Sequence, residues 1–434
     1  MELILNFFYG LNNFLWSYVL IIMLVGLGLY FTARTGFVQF RMLKDMFLLL
    51  GEGAVKGKEG HNGISSFQAF CISTASRVGT GNLAGVAIAI SIGGPGAVFW
   101  MWVMAIIGAS SSFIESTLAQ IYKEKEGDHF RGGPAYYMEK ALGQKWMGVL
   151  FSIIISIVFG LIFNSVQANT ITLAFEKAFS IDRTILGVIL SVMTAVIIFG
   201  GVKRIAQFVE YIVPIMAVAY VIVALIVIVK NFNHIPAVFS QIISGAFGFN
   251  QAVGGGIGAV IMQGVKRGLF SNEAGSGSAP CAAAAAEVEH PAKQGLIQAL
   301  GVLVDTVVIC SATAFVILLS KGHVQEGLGG MTLLQEAFRY HVGEWGVVFT
   351  AVILFLFSFS TILGISFYAK PNLYFLCEKE WPQEAFKIFT LIMLYWGGVR
   401  QNFLVWSLAD LGLGLMTIVN MIGVFPLVSK ALES

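Results

Sequence analysis
The sequence predicts an all-α integral membrane protein of about eleven transmembrane helices. They divide into one N-terminal helix and a five-plus-five inverted repeat with two broken helices. Three observations carry this expectation. Of the 434 residues, 57% are hydrophobic and 12% charged, with mean hydropathy +0.82, whereas soluble domains carry about 25% charged residues. Apolar runs of helix-spanning length recur along the chain, and they lack the alternation in units of about 10 residues that a barrel requires. Short motifs also recur at one fixed offset.

The expected spans are 13–33, 64–92, 96–122, 146–176, 183–200, 205–230, 254–287, 292–320, 344–369, 385–398 and 402–425. FVQFRMLKDMFLLL (37–50) reads as an interfacial amphipathic helix, with basic residues among aromatics and leucines. PAYYMEKAL (134–142) and MTLLQEAFRY (331–340) read as short helices at the membrane surface. With the N-terminus outside, 17 lysines and arginines fall in inside loops and six in outside loops. That asymmetry predicts an N-out, C-in orientation. The net charge of +2 gives no bulk attraction to nucleic acid. Cys71, Cys281, Cys310 and Cys377 lack paired spacing and read as packing residues. MELILNFFYG has no basic n-region, so no cleavable signal is expected. This suits the inner (plasma) membrane of a prokaryote.

The repeat is visible in three pairs. RGGPAYYMEKA (131–141) resembles LGGMTLLQEAF (328–338), GGVKR (200–204) resembles GGVRQ (397–401), and RVGTGN (77–82) resembles EAGSGS (273–278), all offset by 196–197 residues. Each pair alone is weak in a chain with 49 glycines; their common register is not. Five spans per unit place the second copy upside down relative to the first, which is the inverted-topology architecture of secondary transporters. The chain therefore reads as one transmembrane domain, 1–434. Span 13–33 is extra, 64–230 is the first repeat and 254–425 the second.

RVGTGN and EAGSGS sit inside the first span of each half. Glycine there costs a continuous helix about 1 kcal/mol against alanine, but it lets the backbone unwind and a ligand approach. An unwound turn exposes N–H groups of one half-helix and C=O groups of the other, which suit a carboxylate and a small cation respectively. Tight helix packing of the GxxxG kind would explain one such motif; two polar copies related by the repeat favour a site. GTGNLAG also resembles a dinucleotide fingerprint, but it follows no strand of a βαβ unit. Arg77 and Glu273 hold equivalent places with opposite charge and are expected to form, or alternate in, an ion pair, with Lys266 and Arg267 as rival partners for Glu273. Asn164 and Gln167 share a helix face, and Ser358, Ser360, Thr361 and Ser366 cluster at lipid depth. Most membrane hydroxyls bond their own helix; Ser360 and Thr361 are the favoured Na⁺ ligands among them.

The stretches FQAFCISTASRVGTGNLAGVAIAI, NSVQANTI, GGVKRIAQFVEYIVPIMA, GLFSNEAGSGSAPCAAAAA and FSFSTILG resemble the alanine or glycine:cation symporters, from residue 67 to about 365. The resemblance implies the LeuT-type fold and Na⁺-coupled uptake of a small neutral amino acid at a site between the broken helices. It implies that Gly79, Thr80 and Gly81 help hold the substrate carboxylate, and that Gln167, Phe270, Ala274 and Gly275 line the substrate. It further implies that Asn82 serves one sodium, while Ala75 and Val78 carbonyls join Ser360 and Thr361 hydroxyls at another. Where the family commonly has S-T-I-L-G-W-S-Y-Y-G-E, this chain reads STILGISFYAK (360–370). Ile365 thus replaces a Trp expected near the substrate side chain and makes room for a larger neutral amino acid.

Na⁺ is the expected coupling ion, and H⁺ carried by Glu273 is the alternative in the same fold. A second alternative is an amino-acid-binding sensor or channel, against which the internal inverted pair argues. No nucleophile–base pairing or metal-ligand set recommends an enzyme. The expected partners are the amino acid, the cation and the bilayer, and a single chain suffices.

Overall fold
The computed structural model describes residues 8, 10–56, 63–126, 129–248, 256–320, 327–400 and 402–434. Among these, seven helices are long and apolar enough to cross a membrane. Six can be named at once: α1 (Gly10–Arg34), α2 (Gly96–Ile121), α3 (Lys145–Phe179), α4 (Gly201–Lys230), α5 (Pro291–Leu319) and α6 (Glu344–Leu376). The seventh runs over Val405–Glu433; its main segment, Asn402–Val424, is α7. The other expected spans are also helical but shorter or interrupted. Arg183–Ile198 and Glu380–Val399 are single helices. Residues 64–92 and 254–287 are each split in two.

The first split helix starts at a capping box: Ser65 Oγ accepts from Gln68 N, while Gln68 Oε1 accepts from Ser65 N, each at 3.1 Å. It runs Ser66–Arg77, leaves helical geometry at Val78 (ψ 86°), and resumes through a wide π turn, Gly81–Gly85, into Val86–Gly93. The second runs Ile257–Asn272 and ends at Glu273, whose φ of 55° is left-handed. Gly275 (φ 83°) and Gly277 (φ 85°) continue the unwound stretch, a conformation that residues with a Cβ rarely adopt. Pro280 then opens the short helix Ala279–Ala285, where its missing N–H costs nothing.

The short helices expected at the surface are present as Pro134–Leu142 and Gly330–Val342. The first buries Pro134 through Met138, so its inner face belongs to the core. The 37–50 stretch is helical over Val38–Arg41 and from Leu43, with Phe40, Phe47 and Leu48 exposed. None of the four cysteines is bridged.

The distribution of polarity is that of a protein dissolved in lipid. Ile185, Val192, Ile215, Ile222 and Val229 point outward and are exposed, whereas Ser112, Glu115, Thr117, Asn164, Gln167, Asp305 and Thr361 are buried. In hydrocarbon, polar groups must find partners inside the bundle. α2 packs on α5 and on both halves of the second split helix, while α6 packs on the first. These contacts bring the two interruptions together.

Candidate functional site
The two unwound turns face each other. Asn82 Nδ2 donates to Ser271 Oγ at 3.0 Å, and Ser76 Oγ donates to Glu273 Oε1 at 3.0 Å, so each half of the chain holds the other across the gap. The polar ends of both breaks are satisfied by side chains. Gly79 N donates to Asn82 Oδ1 (2.9 Å) and Thr80 N to Gln167 Oε1 (3.2 Å). In the second break Ala274 N donates to Asn272 Oδ1 (3.1 Å), while Gly275 N and Gly277 N donate to the two carboxylate oxygens of Glu115 (3.1 and 3.2 Å). Glu115, on α2, thus presents a protein carboxylate to a nest of backbone N–H groups. Asn420 on α7 completes it, donating to Glu115 Oε2 at 2.8 Å and to Gly275 O at 2.9 Å.

Of the expected cation ligands, three converge. Thr361 Oγ1 lies 2.8 Å from Ala75 O and 3.3 Å from Val78 O, linking α6 to the end of the first half-helix. A Cβ on Gly79 would collide with Thr361 Oγ1 and lie 3.1 Å from Gln167 Oε1, so only glycine permits this approach. Neutral hard oxygens of this kind suit an alkali cation. Ser360 departs from the expectation. Its hydroxyl donates to Phe357 O (2.8 Å) and lies 3.5 Å from Met216 Sδ, because adjacent helical residues cannot share a face. Asn82 has its carbonyl turned to Gly79 N, and its amide nitrogen donates to Asp305 Oδ1 at 2.6 Å. Asp305, in a π turn within α5, also accepts from Ser271 Oγ at 2.5 Å and Thr306 Oγ1 at 3.0 Å.

The expected direct pair of Arg77 and Glu273 does not form. Arg77 donates to Gln298 O (3.2 Å) and Ser112 Oγ (3.3 Å), while Glu273 accepts from Ser76 and from Ser278 Oγ at 2.5 Å. The left-handed backbone at Glu273 turns its carboxylate into this pair of hydroxyls. Arg77 instead interacts electrostatically with three buried carboxylates, Glu115, Glu273 and Asp305. The rival cations are also engaged elsewhere: Lys266 Nζ reaches Asp410 Oδ2 at 2.6 Å, and Arg267 clasps both oxygens of Asp410 at 3.0 and 2.8 Å.

Phe270 lies between two other rings, Phe163 at 4.7 Å and Trp406 at 4.9 Å between centroids. Its edge closes on Gly81, where a Cβ would meet Phe270 Cδ1 at 3.1 Å. Ile365 is fully buried, one helical turn beyond Thr361. Sequence reasoning misses Glu115, Asp305, Asp410, Trp406 and Asn420. For the acids a signal exists: an ionisable residue inside an apolar span is a functional candidate by default.

At one end the breaks are stapled. Ile64 pairs in parallel with Ala286, and Glu287 N donates to Ile64 O at 3.1 Å. Gln120 donates to Ala283 O and Ala286 O, and Lys123 Nζ to Ala286 O at 2.8 Å. A cavity of about 150 Å³ opens beside this staple between Ser65, Ser66, Glu287 and Lys293.

The pattern of the family described as the sodium:alanine symporter family matches residues 1–434. Similar proteins include a "probable sodium/glutamine symporter GlnT" of Bacillus subtilis, 54% identical over 431 residues, covering 99% of this chain and 90% of the relative. Another is the "amino-acid carrier protein AlsT" of the same organism, 50% identical over 411 residues, covering 95% and 87%. Among solved structures, the crystal structure of a mutant manganese transporter of Eremococcus coleocola is similar in fold alone. It has a TM-score of 0.52 at 12% identity and covers 84% of this chain and 78% of that one.

Proposed function
The chain belongs to the sodium:alanine symporter family and is a multi-pass membrane transporter, not an enzyme; from that premise we propose that it carries a small neutral amino acid into the cell with Na⁺ by alternating access. One observation carries the reading: two broken helices from the two halves of the chain face each other, with Thr361 Oγ1 and the Ala75 and Val78 carbonyls converging beside the first break. Gly79, Thr80 and Gly81 in the first break, with Ala274 and Gly275 in the second, offer the substrate carboxylate its N–H groups. Gln167 and Phe270 line it. Gln167 and Glu115 already accept from Thr80 N, Gly275 N and Gly277 N, so substrate binding exchanges such bonds rather than filling bare ones. Asn82, bonded to the Asp305 carboxylate, is the ligand proposed for a further sodium.

The two halves are read as five-plus-five inverted repeats of the LeuT type over about 64–230 and 254–425, in a single domain that crosses eleven times. The helix 13–33 lies outside the repeat. The N-terminus is placed outside and the C-terminus inside, in a prokaryotic inner membrane. This is supported by the loop charges and by the position of Lys123 and Lys293 near the stapled end. The relative named for glutamine supports a substrate larger than alanine, as does Ile365 in place of the expected indole.

Rocking of one bundle against the other around the site then exposes it alternately. Coupling requires that Na⁺ and substrate each raise the affinity for the other by the same factor. The test is uptake into proteoliposomes under an imposed Na⁺ gradient, with K⁺ replacement and a proton gradient as controls. Accumulation only with Na⁺ is expected. Accumulation driven by protons alone replaces the ion and points to Glu273; binding without accumulation rejects coupled transport.

A further inference from the structure
We propose that Trp406 and Asn164 read a side-chain carboxamide, which makes glutamine or asparagine, rather than alanine, the class of substrate this site selects. The inference rests on the amino-acid transport reading above and deepens it. Trp406 is on α7 and Asn164 on α3, the two helices that flank Phe270. Trp406 stacks on Phe270 at 4.9 Å, and Phe163, the chain neighbour of Asn164, stacks on Phe270 at 4.7 Å. Phe270 in turn closes on Gly81 of the first break. One helical turn past Asn164, Gln167 reaches Thr80 N in the same break.

Both residues carry a buried polar atom with no partner among the described residues: Nε1 of Trp406 and Oδ1 of Asn164. Trp406 is 7% exposed and Asn164 fully buried, and native interiors leave few such atoms unpaired. The two have opposite characters. An indole N–H donates only. The Asn164 amide is oriented by its bond from Nδ2 to Gly160 O at 2.7 Å, which leaves its carbonyl as the free acceptor. The hydroxyl of Thr80, between the two glycines of the break, is likewise buried and unpartnered among the described residues.

A side-chain carboxamide supplies one acceptor and two donors, so a single such group complements the indole N–H and the Asn164 carbonyl together. A methyl or an alkyl chain answers neither and leaves both desolvated atoms unpaired, and sites built this way discriminate strongly against the apolar analogue. The remaining features fit a fixed wall rather than a mobile one. Arg267, held on Asp410, places its guanidinium 5.1 Å from the Trp406 ring centroid and pins the indole from a second side.

The experiment measures binding by ligand-induced thermal stabilisation of the purified full chain in NaCl, and uptake in proteoliposomes. The ligands are glutamine, asparagine, alanine and norleucine, the last of these having a side chain near glutamine in length but no polar atom. In the unmodified protein the better carboxamide should bind at least about tenfold tighter than norleucine. Trp406→Phe, which keeps the stacking ring and removes the donor, should lower the carboxamide-to-alanine affinity ratio about tenfold. Norleucine binding as well as both carboxamides overturns the proposal, and that comparison needs no variant to fold. An unchanged ratio in Trp406→Phe overturns it too. The binding ratios are read whether or not Na⁺ drives accumulation, so a failure of the transport reading shows separately, in the uptake assay.

Discussion

Replacing Glu115 by Gln tests the structure at its most heavily bonded buried carboxylate. Glu115 Oε1 accepts from Gly275 N at 3.1 Å, and Oε2 accepts from Gly277 N at 3.2 Å and Asn420 Nδ2 at 2.8 Å. Every partner is a donor. Glutamine keeps the length but turns one acceptor into an NH₂ that faces a donor whichever way the amide is flipped. In the less damaging orientation the amide oxygen keeps Gly277 and Asn420, and Gly275 N loses its acceptor. A hydrogen bond to a charged group contributes about 1.5–3 kcal/mol, and a buried unsatisfied donor costs about 1–3 kcal/mol. Removing a buried charge offsets part of this. We expect Glu115→Gln to lose about 2–3 kcal/mol, followed by equilibrium unfolding in mixed micelles, and to lower uptake about 30- to 100-fold through misplacement of the second break. Asn420→Ala should lose less, since Gly275 and Gly277 keep the carboxylate. A Glu115→Gln protein as stable and as active as the parent would refute the claim that this carboxylate shapes the break.

Thr361→Val removes one of three converging oxygens with little change of shape, and the Na⁺ concentration for half-maximal uptake should rise about tenfold or more; an unchanged Na⁺ dependence would clear Thr361 of a ligand role. Exchanging charges in Arg77→Glu with Glu273→Arg should not restore activity lost in either single variant, because neither side chain bonds the other; full recovery would show that they pair in another conformation. Burial pulls the Lys123 ammonium down to about 8, against the opposing charge of Glu287. The unfolded chain holds that proton to higher pH, so it binds more protons than the folded state above about pH 8 and stability rises with pH there. The thermal midpoint of the parent relative to Lys123→Met should therefore climb from about pH 8 to about pH 10, and a flat difference would contradict the burial argument.

The breaks were legible because glycine, hydroxyl and charged residues interrupt apolar runs at Arg77–Asn82 and Glu273–Ser278, and the local chain alone decides where a helix fails. Thr361 was legible with them. Its neighbour Ser360 was not separable, because composition does not say which of two adjacent hydroxyls faces the first break; the helical rotation between them does. The Arg77–Glu273 pairing was inferred from repeat symmetry, and symmetry of position does not fix where a side chain turns. Glu115, Asp410 and Trp406 act through partners more than 130 residues away in sequence. No local pattern announces such a meeting, so their roles appear only once the helices are packed.

The clasp of Lys266 and Arg267 on Asp410 constrains how the chain is made. Both cations enter the bilayer on one helix, and each costs about 2.5–3.5 kcal/mol at mid-membrane when alone. Their counter-charge lies 143 residues beyond Arg267, which a ribosome adding about 5–20 residues per second reaches roughly 7 to 30 s later. Through that interval the half-helix Ile257–Asn272 has no salt partner from α7. Its final seating must wait for the last helix, so biogenesis of this protein ends by closing the core around its middle rather than by adding a finished hairpin at its edge.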